Sequence, residues 1–435
     1  MERVFVHKIS KHVGKKVALK GWVYNSRRSG KIGFLTFKYD LYPKAWLNGS
    51  INLFIKDLDE SKRKFKIPYM NGFLKIMKKF INKTNTPPFD KKLVIIKTQD
   101  YPRSNSIVRL AQILRKYLLL FVSFQYKYLK DRISINEKNI LWIHNTTENI
   151  GDSLMKTSSI RYLKSNGFSV DLCVLPKLYD LYKNNSYCRN VINLNSLANL
   201  SEKYDLIILD SLSSKCMKIK MKYYYAKPFV TLYGFFNHFR PDYNLILFSW
   251  YRIQYLLNKH ENIDNIAKPF VGKLSAKNIK INNLNIKNNS IAIVCGGVDD
   301  YRIYPNWIQV IELIDRNKID TIPIVLVGSE NGIEYSNQIT NHFSDRVNLI
   351  DTVGKSTLIE TKSIISSCEL IVGPDGGILQ IANALDKKII ALFAQIDSRL
   401  RFTEATEYQC LYDDKEVKNI EAKDIANEIL MAYKY

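Results

Sequence analysis

CELIVGPDGGILQIANALDKKIIALF, residues 368–393, carries its apolar residues first in a run, then at helical spacing, then in a run again. Leu370, Ile371 and Val372, closed by Gly373 and Pro374, read as a buried strand. Ile378, Ile381, Ala382 and Leu385 fall at i, i+3, i+4 and i+7, one face of a helix. Asp386, Lys387 and Lys388 then turn the chain into a second apolar run from Ile389 to Phe393. The unit is strand, glycine turn, helix, strand, with a right-handed crossover. Asp375, Gly376 and Gly377 fill the turn. Glycines there let main-chain amides approach an anion, and the helix start adds partial positive charge. Two readings stand: a phosphate site, or a turn that packs helix on strand.

The same α/β texture extends outward. Residues 290–295 form a strand that ends at Gly296-Gly297, followed by a helix from Pro305 to about Arg316. A strand over 322–327 ends at Gly328-Ser329-Glu330, a third covers 347–350, and helices cover 357–366 and 422–433. Residues 273–289, KLSAKNIKINNLNIKNN, are polar and read as a linker. Before it a second open sheet begins at the strand 140–143, and Gly151-Asp152 leads into a helix from about Ser153 to Gly167. Strands over 169–174, 191–194 and 206–209 continue that sheet. Residues 223–255 are dense in aromatics, which line an acceptor cleft or, as is commoner, fill a core.

The predicted organisation is a basic extension over 1–138 and two Rossmann-like domains over 139–272 and 290–435. Open parallel sheets bind ligands at the carboxyl ends of their strands. Gly151, Asp152, Gly296, Gly297, Arg302, Glu330, Asp375, Gly376 and Gly377 all fall at such ends.

Residues 372–385, with Ile390-Ala391-Leu392-Phe393, resemble the donor-site signature of glycosyltransferase family 9, the heptosyltransferase-like enzymes. The family pattern runs Asp-Ser/Thr-Gly, two residues, His-Ile/Leu-Ala, then an apolar helix and a strand ending Leu-Phe-Gly. Here Gly376 stands for the hydroxyl residue, Gln380 for the histidine and Ala394 for the last glycine. The resemblance spans about 139–435. It implies the GT-B architecture, with an acceptor-side domain in front and a nucleotide-sugar domain behind.

The implied activity is inverting, metal-independent transfer of a hexose or heptose from a nucleotide-sugar to a surface glycan or lipid-linked acceptor. Lipopolysaccharide biosynthesis at the cytoplasmic face of the inner membrane is the implied setting, with no cofactor beyond the donor. Asp152 matches the family's aspartate in Gly-Asp, the general base that takes the acceptor hydroxyl's proton. Its other reading is a carboxylate favoured by the helix dipole. Arg302 occupies the place of a phosphate-binding lysine, and Glu330 that of an acid on the ribose, or a plain helix-start charge. Asp375 would orient the sugar or the turn, while Gly376 and Gly377 would offer amides to the diphosphate. Gln380 can donate a hydrogen bond there but carries no charge. Gln380 and the front extension also raise a rival reading, a scaffold that binds nucleotide or glycan without turnover.

The net charge of +24 is uneven: residues 1–139 hold 31 Lys and Arg against 9 Asp and Glu, the remainder 34 against 32. Helices at 73–80 and 107–124 mix basic with apolar residues, which fits an anionic membrane surface or packing on a neighbour. Residues 17–37 alternate about a turn at Ser29-Gly30, a hairpin. With the residues before it, over about 5–37, it resembles the first strands of the OB domain of asparaginyl-tRNA synthetases. A role in binding nucleic acid is the weaker implication of that fragment. The six cysteines form no CxxC pair and sit largely in apolar runs, as free thiols do in a reducing compartment. The six histidines do not cluster with them, so no metal site is expected. No apolar segment follows Met1 as in a signal peptide, and none approaches the roughly 20 residues of a spanning helix.

Overall fold

The computed structural model describes residues 2–4, 17–19, 22–29, 32–38, 95–96 and 106–432, apart from 146, 200–202, 234–241, 262–266, 274–285, 316–321 and 344–347. Side chains are described for most residues from Leu114 onward. The helix expected over 73–80 and most of the linker over 273–289 lie outside the described residues. Contacts divide the chain into two units, one of residues 1–82 and 105–112, the other of 83–104 and 113–435.

In the first unit β1 (Glu2–Val4) runs parallel to β2 (Val17–Leu19). β3 (Trp22–Ser29) and β4 (Ile32–Lys38) pair antiparallel, with Ser29 opposite Ile32, so the expected hairpin pairing is present. The OB resemblance rests on this hairpin; the residues that would carry further barrel strands are not among those described.

The second unit holds two parallel sheets. β5 (Ile95–Ile96) stands apart from both, paired with β11 (Asp242–Tyr243). The first sheet comprises β6 (Asn139–His144), β7 (Ser169–Val174), β8 (Asn190–Asn193), β9 (Leu206–Leu209) and β10 (Phe229–Thr231), in the order β10-β9-β6-β7-β8. The second comprises β12 (Ser290–Val294), β13 (Ile324–Val327), β14 (Leu349–Asp351), β15 (Cys368–Pro374), β16 (Lys388–Ala394) and β17 (Tyr408–Asp413), in the order β14-β13-β12-β15-β16-β17. All their pairings are parallel. The central strands, such as LIIL and IVLV, are unbroken apolar runs because helices cover both faces. Each order reverses beside its first strand, β6 or β12, which opens a crevice at the strands' carboxyl ends.

Several elements differ from the sequence reading, among them strand β10, which lies inside the aromatic stretch. The helix expected from Ser153 to Gly167 starts earlier and is two helices, Ile150–Thr157 and Ile160–Ser165. Thr157 Oγ1 donates to the Ser153 carbonyl at 3.0 Å and Ser158 Oγ to that of Met155 at 2.9 Å, so hydroxyls compete for the carbonyls where the helix breaks. The helix expected from Pro305 begins at Trp307, with the Asn306 carbonyl accepting from Val310 N–H. β17 was not legible: an edge strand that is half-exposed along its length shows no apolar run.

Aromatics of residues 223–255 largely fill the core. Phe229, Tyr233, Phe248 and Trp250 are buried, and Tyr233 stacks on Phe248 at 4.9 Å between centroids. The first domain also reaches in front of residue 139. Leu120 on helix Ser106–Val122 and Ile133 are buried, and Leu129 bridges to the sheet-edge residue Phe229. All six cysteines are free thiols, four of them buried. One apolar layer joins the two domains: Trp142, Leu154 and Ile246 of the first share it with Val294, Leu379 and Ile381 of the second. Separate layers cover the outer face of each sheet.

Candidate active site

Where the two domains meet, two helix starts touch. Helix Ile150–Thr157 follows β6, and helix Gly377–Ala384 follows β15. A Cβ on Gly151 would stand 3.6 Å from Gly377 Cα, and one on Gly377 only 3.1 Å from Ile150 Cβ. A side chain at Gly377 would press on Ile150, whereas one at Gly151 would make ordinary van der Waals contact. Asp152, half-buried in the first turn of its helix, is thereby next in sequence to the residue that touches the Asp375-Gly376-Gly377 turn. The first amides of a helix lack intrahelical partners, and the partial positive charge of both starts is concentrated here. Gly376 is extended, with φ 179°, and a Cβ there would meet only the Pro374 carbonyl at 3.8 Å. A hydroxyl residue would fit that position.

Asp375 lies at the end of β15 with its side chain 7% exposed. Two guanidinium groups converge on its Oδ2: Arg302 Nη1 at 3.5 Å and Arg401 Nε at 3.3 Å. Arg302 also donates to Tyr301 Oη through Nε at 2.8 Å and Nη2 at 2.6 Å, and stands 3.5 Å from the more exposed Asp299. Burial opposes the Arg302 charge, but Asp375, Tyr301 and Asp299 outweigh it and hold the group above its ordinary pKa. Arg302 is therefore a permanent cation.

Gln380 is buried at 1% exposure, and its amide donates to the Arg401 carbonyl at 3.1 Å. That bond ties the helix to the loop after β16. The loop is also held from the first domain, where Asn244 Nδ2 donates to the Arg399 and Phe402 carbonyls at 2.8 Å each. Arg401 escaped the sequence reading because its partners Asp375 and Gln380 lie 26 and 21 residues away in sequence. A basic residue in the loop after β16 was the one available signal.

Gly296, Gly297 and Glu330 form a neighbouring group. Gly296 has φ +84°, and a Cβ on it would be 2.9 Å from Gly332 Cα. Asn331 Nδ2 donates to the Gly297 carbonyl. Glu330 is exposed at the first position of the short helix Glu330–Gly332. The two groups adjoin through Gly297, where a Cβ would lie 3.0 Å from the Arg302 carbonyl.

Beneath helix Ile150–Thr157 runs a buried polar chain that the sequence did not reveal. Trp142 Nε1 donates to Asp210 Oδ1 at 2.9 Å, and His144 Nδ1 lies 2.6 Å from Asp210 Oδ2. His144 Nε2 is 2.8 Å from Ser153 Oγ, which is 2.7 Å from Tyr182 Oη. Carboxylate, imidazole and hydroxyl follow the order of a hydrolase triad. With His144, Ser153 and Asp210 all at 0% exposure, no substrate reaches them, and the chain is a strut under the Asp152 helix. Burial works against the Asp210 charge, yet His144 and the Trp142 N–H prevail and lower its pKa.

Residues 253–426, a stretch that begins inside helix Leu245–Leu257 and takes in the second sheet, match the model of glycosyltransferase family 9 (heptosyltransferase). Three solved structures share the fold over about two thirds of the chain. The family 9 glycosyl transferase from Veillonella parvula is 13% identical, with 70% of this chain and 99% of that one covered at a TM-score of 0.57. Escherichia coli ADP-heptose LPS heptosyltransferase II is 16% identical, with 68% and 100% covered at 0.53. E. coli heptosyltransferase WaaC with ADP is 12% identical, with 67% and 99% covered at 0.51. The architecture is thus GT-B. No curated protein matches the sequence.

Proposed function

We propose that the chain moves a sugar from a nucleoside-diphosphate sugar to a hydroxyl of a surface glycan or lipid-linked acceptor, inverting the anomeric centre without a metal ion. One observation carries this reading: the contact of Gly151 with Gly377, which sets Asp152 beside the Asp375-Gly376-Gly377 turn. Asp152 would accept the acceptor's proton as its oxygen attacks from the face opposite the nucleotide. The departing diphosphate would meet the amides at Gly376 and Gly377 and the Arg302 charge, already in place before reaction. Glu330, exposed beside the Gly296-Gly297 end of β12, is suited to the nucleoside ribose.

A thermal-shift panel of ADP-, GDP-, UDP- and CDP-sugars tests the donor class. A true donor at 100 times its Kd should stabilise the fold by about 2.7 kcal/mol. If none of them shifts unfolding, the donor reading fails. Incubating the donor that binds with acceptor extracts, and determining the product's anomeric configuration by NMR, then tests transfer and inversion. Gln380 favours a second reading, a nucleotide-binding scaffold without turnover, since it is neutral and its amide faces Arg401. Binding without transfer or donor hydrolysis would select it.

Attachment to an anionic membrane belongs to the same proposal. Helix Ser106–Val122 exposes Leu114, Leu118, Phe121 and Val122, with Arg115 among them, and the first 139 residues carry most of the charge excess. Among the described residues, no helix is long and apolar enough to cross a membrane.

A further inference from the structure

We infer that Arg401 is a second cation for the donor's diphosphate, and that Asp375 holds Arg401 and Arg302 in place until the phosphates arrive. The inference rests on the donor reading above. Both guanidinium groups reach the same oxygen of one buried carboxylate, at 3.3 and 3.5 Å, longer than a close charge-assisted pair. Among the described residues, the terminal nitrogens of Arg401 make no hydrogen bond, which leaves a planar fork for another acceptor. Asp299, half-exposed and screened by solvent, also faces Arg302, and Asp152 lies on the facing helix start. Two guanidinium groups are thus gathered close to the start of helix Gly377–Ala384.

The mounting of Arg401 supports the same role. Its carbonyl accepts from Gln380, and the carbonyls of Arg399 and Phe402 on either side accept from Asn244. Thr403 Oγ1 donates to the Ala267 carbonyl at 2.6 Å. Both domains thus fix the loop, and little ordering remains to be done when a ligand binds. Gln380 brings no charge to the site, but it anchors the residue that does.

Titration calorimetry on the full chain tests this with ADP, GDP and UDP, each beside its nucleoside. The unaltered protein should bind at least one diphosphate more tightly than the matching nucleoside. Arg401→Gln keeps a donor for Asp375 while removing the charge. It should weaken that diphosphate by about tenfold or more, the scale of one charge-assisted contact, and leave the nucleoside unchanged. Arg401→Lys should recover part of the loss, and Arg401→Ala, if folded by thermal unfolding, should repeat the Gln result. Equal diphosphate affinity in Arg401→Gln and the unaltered protein overturns the inference while leaving the donor reading intact. If no diphosphate outbinds its nucleoside in the unaltered protein, the donor reading fails and the inference with it.

Discussion

Asp152 and Asp375 are both carboxylates just past a strand, and their surroundings give them different work. Asp375 is nearly enclosed and faces two guanidinium groups, so its charge is balanced by protein. Asp152 is half-buried, with no ion pair to a described residue, which suits a group that must take up a proton. Asp152→Asn should abolish transfer while leaving donor affinity within about a factor of three, because the base acts on the acceptor. Single-turnover assays beside donor titration check this, and near-normal transfer would remove Asp152 from the mechanism. Asp210 makes a prediction about acid. Its folded pKa lies below the ordinary value of about 3.9, so its stabilisation is complete above that value and is lost as pH falls through the lower, folded one. Asp210→Asn should lose about 3–5 kcal/mol at neutral pH, since it breaks a buried pair, and should show a flatter acid limb. Denaturant unfolding at pH 7 and pH 3 measures both.

At the scale of elements, helix Ser106–Val122 has two unlike faces. Lys116 and Leu120 turn inward, while Leu114, Leu118 and Phe121 turn outward. If that outer face rests on lipid, Leu118→Glu with Phe121→Glu should remove the salt-resistant part of binding to anionic vesicles and spare the part that salt screens. Co-sedimentation at 0.1 and 1 M salt reads the two apart, and unchanged binding at 1 M would count against lipid contact. Elements of this kind differ in how far the sequence betrays them. The central strands were legible because burial on both faces demands unbroken apolar runs, as in β9 and β13. The turn at Asp375 was legible because glycine marks a main-chain approach. Arg401 and the chain from Trp142 to Tyr182 were not, because their roles arise from contacts between residues far apart in sequence. The break at Ser158 and Ser159 also escaped, since serine is tolerated in helices and its competing hydroxyl bonds appear only in three dimensions.

For the whole molecule, the natural cut lies ahead of residue 139. A chain of residues 83–435 keeps Leu120, Leu129 and Ile133 in place, whereas one of residues 139–435 exposes the surface they cover. The shorter chain should be less stable by about 3 kcal/mol or more, from the loss of buried Leu and Ile side chains alone. Equal melting temperatures for the two would mean that this packing contributes little. The apolar layer shared by the two domains bears on how far they can separate. To swing apart, the halves would have to wet Leu154, Leu379 and Ile381 together, at about 25 cal/mol for every Å² exposed. Wide yawning is therefore rare. The two halves should accordingly melt in one cooperative transition, with calorimetric and van't Hoff enthalpies equal.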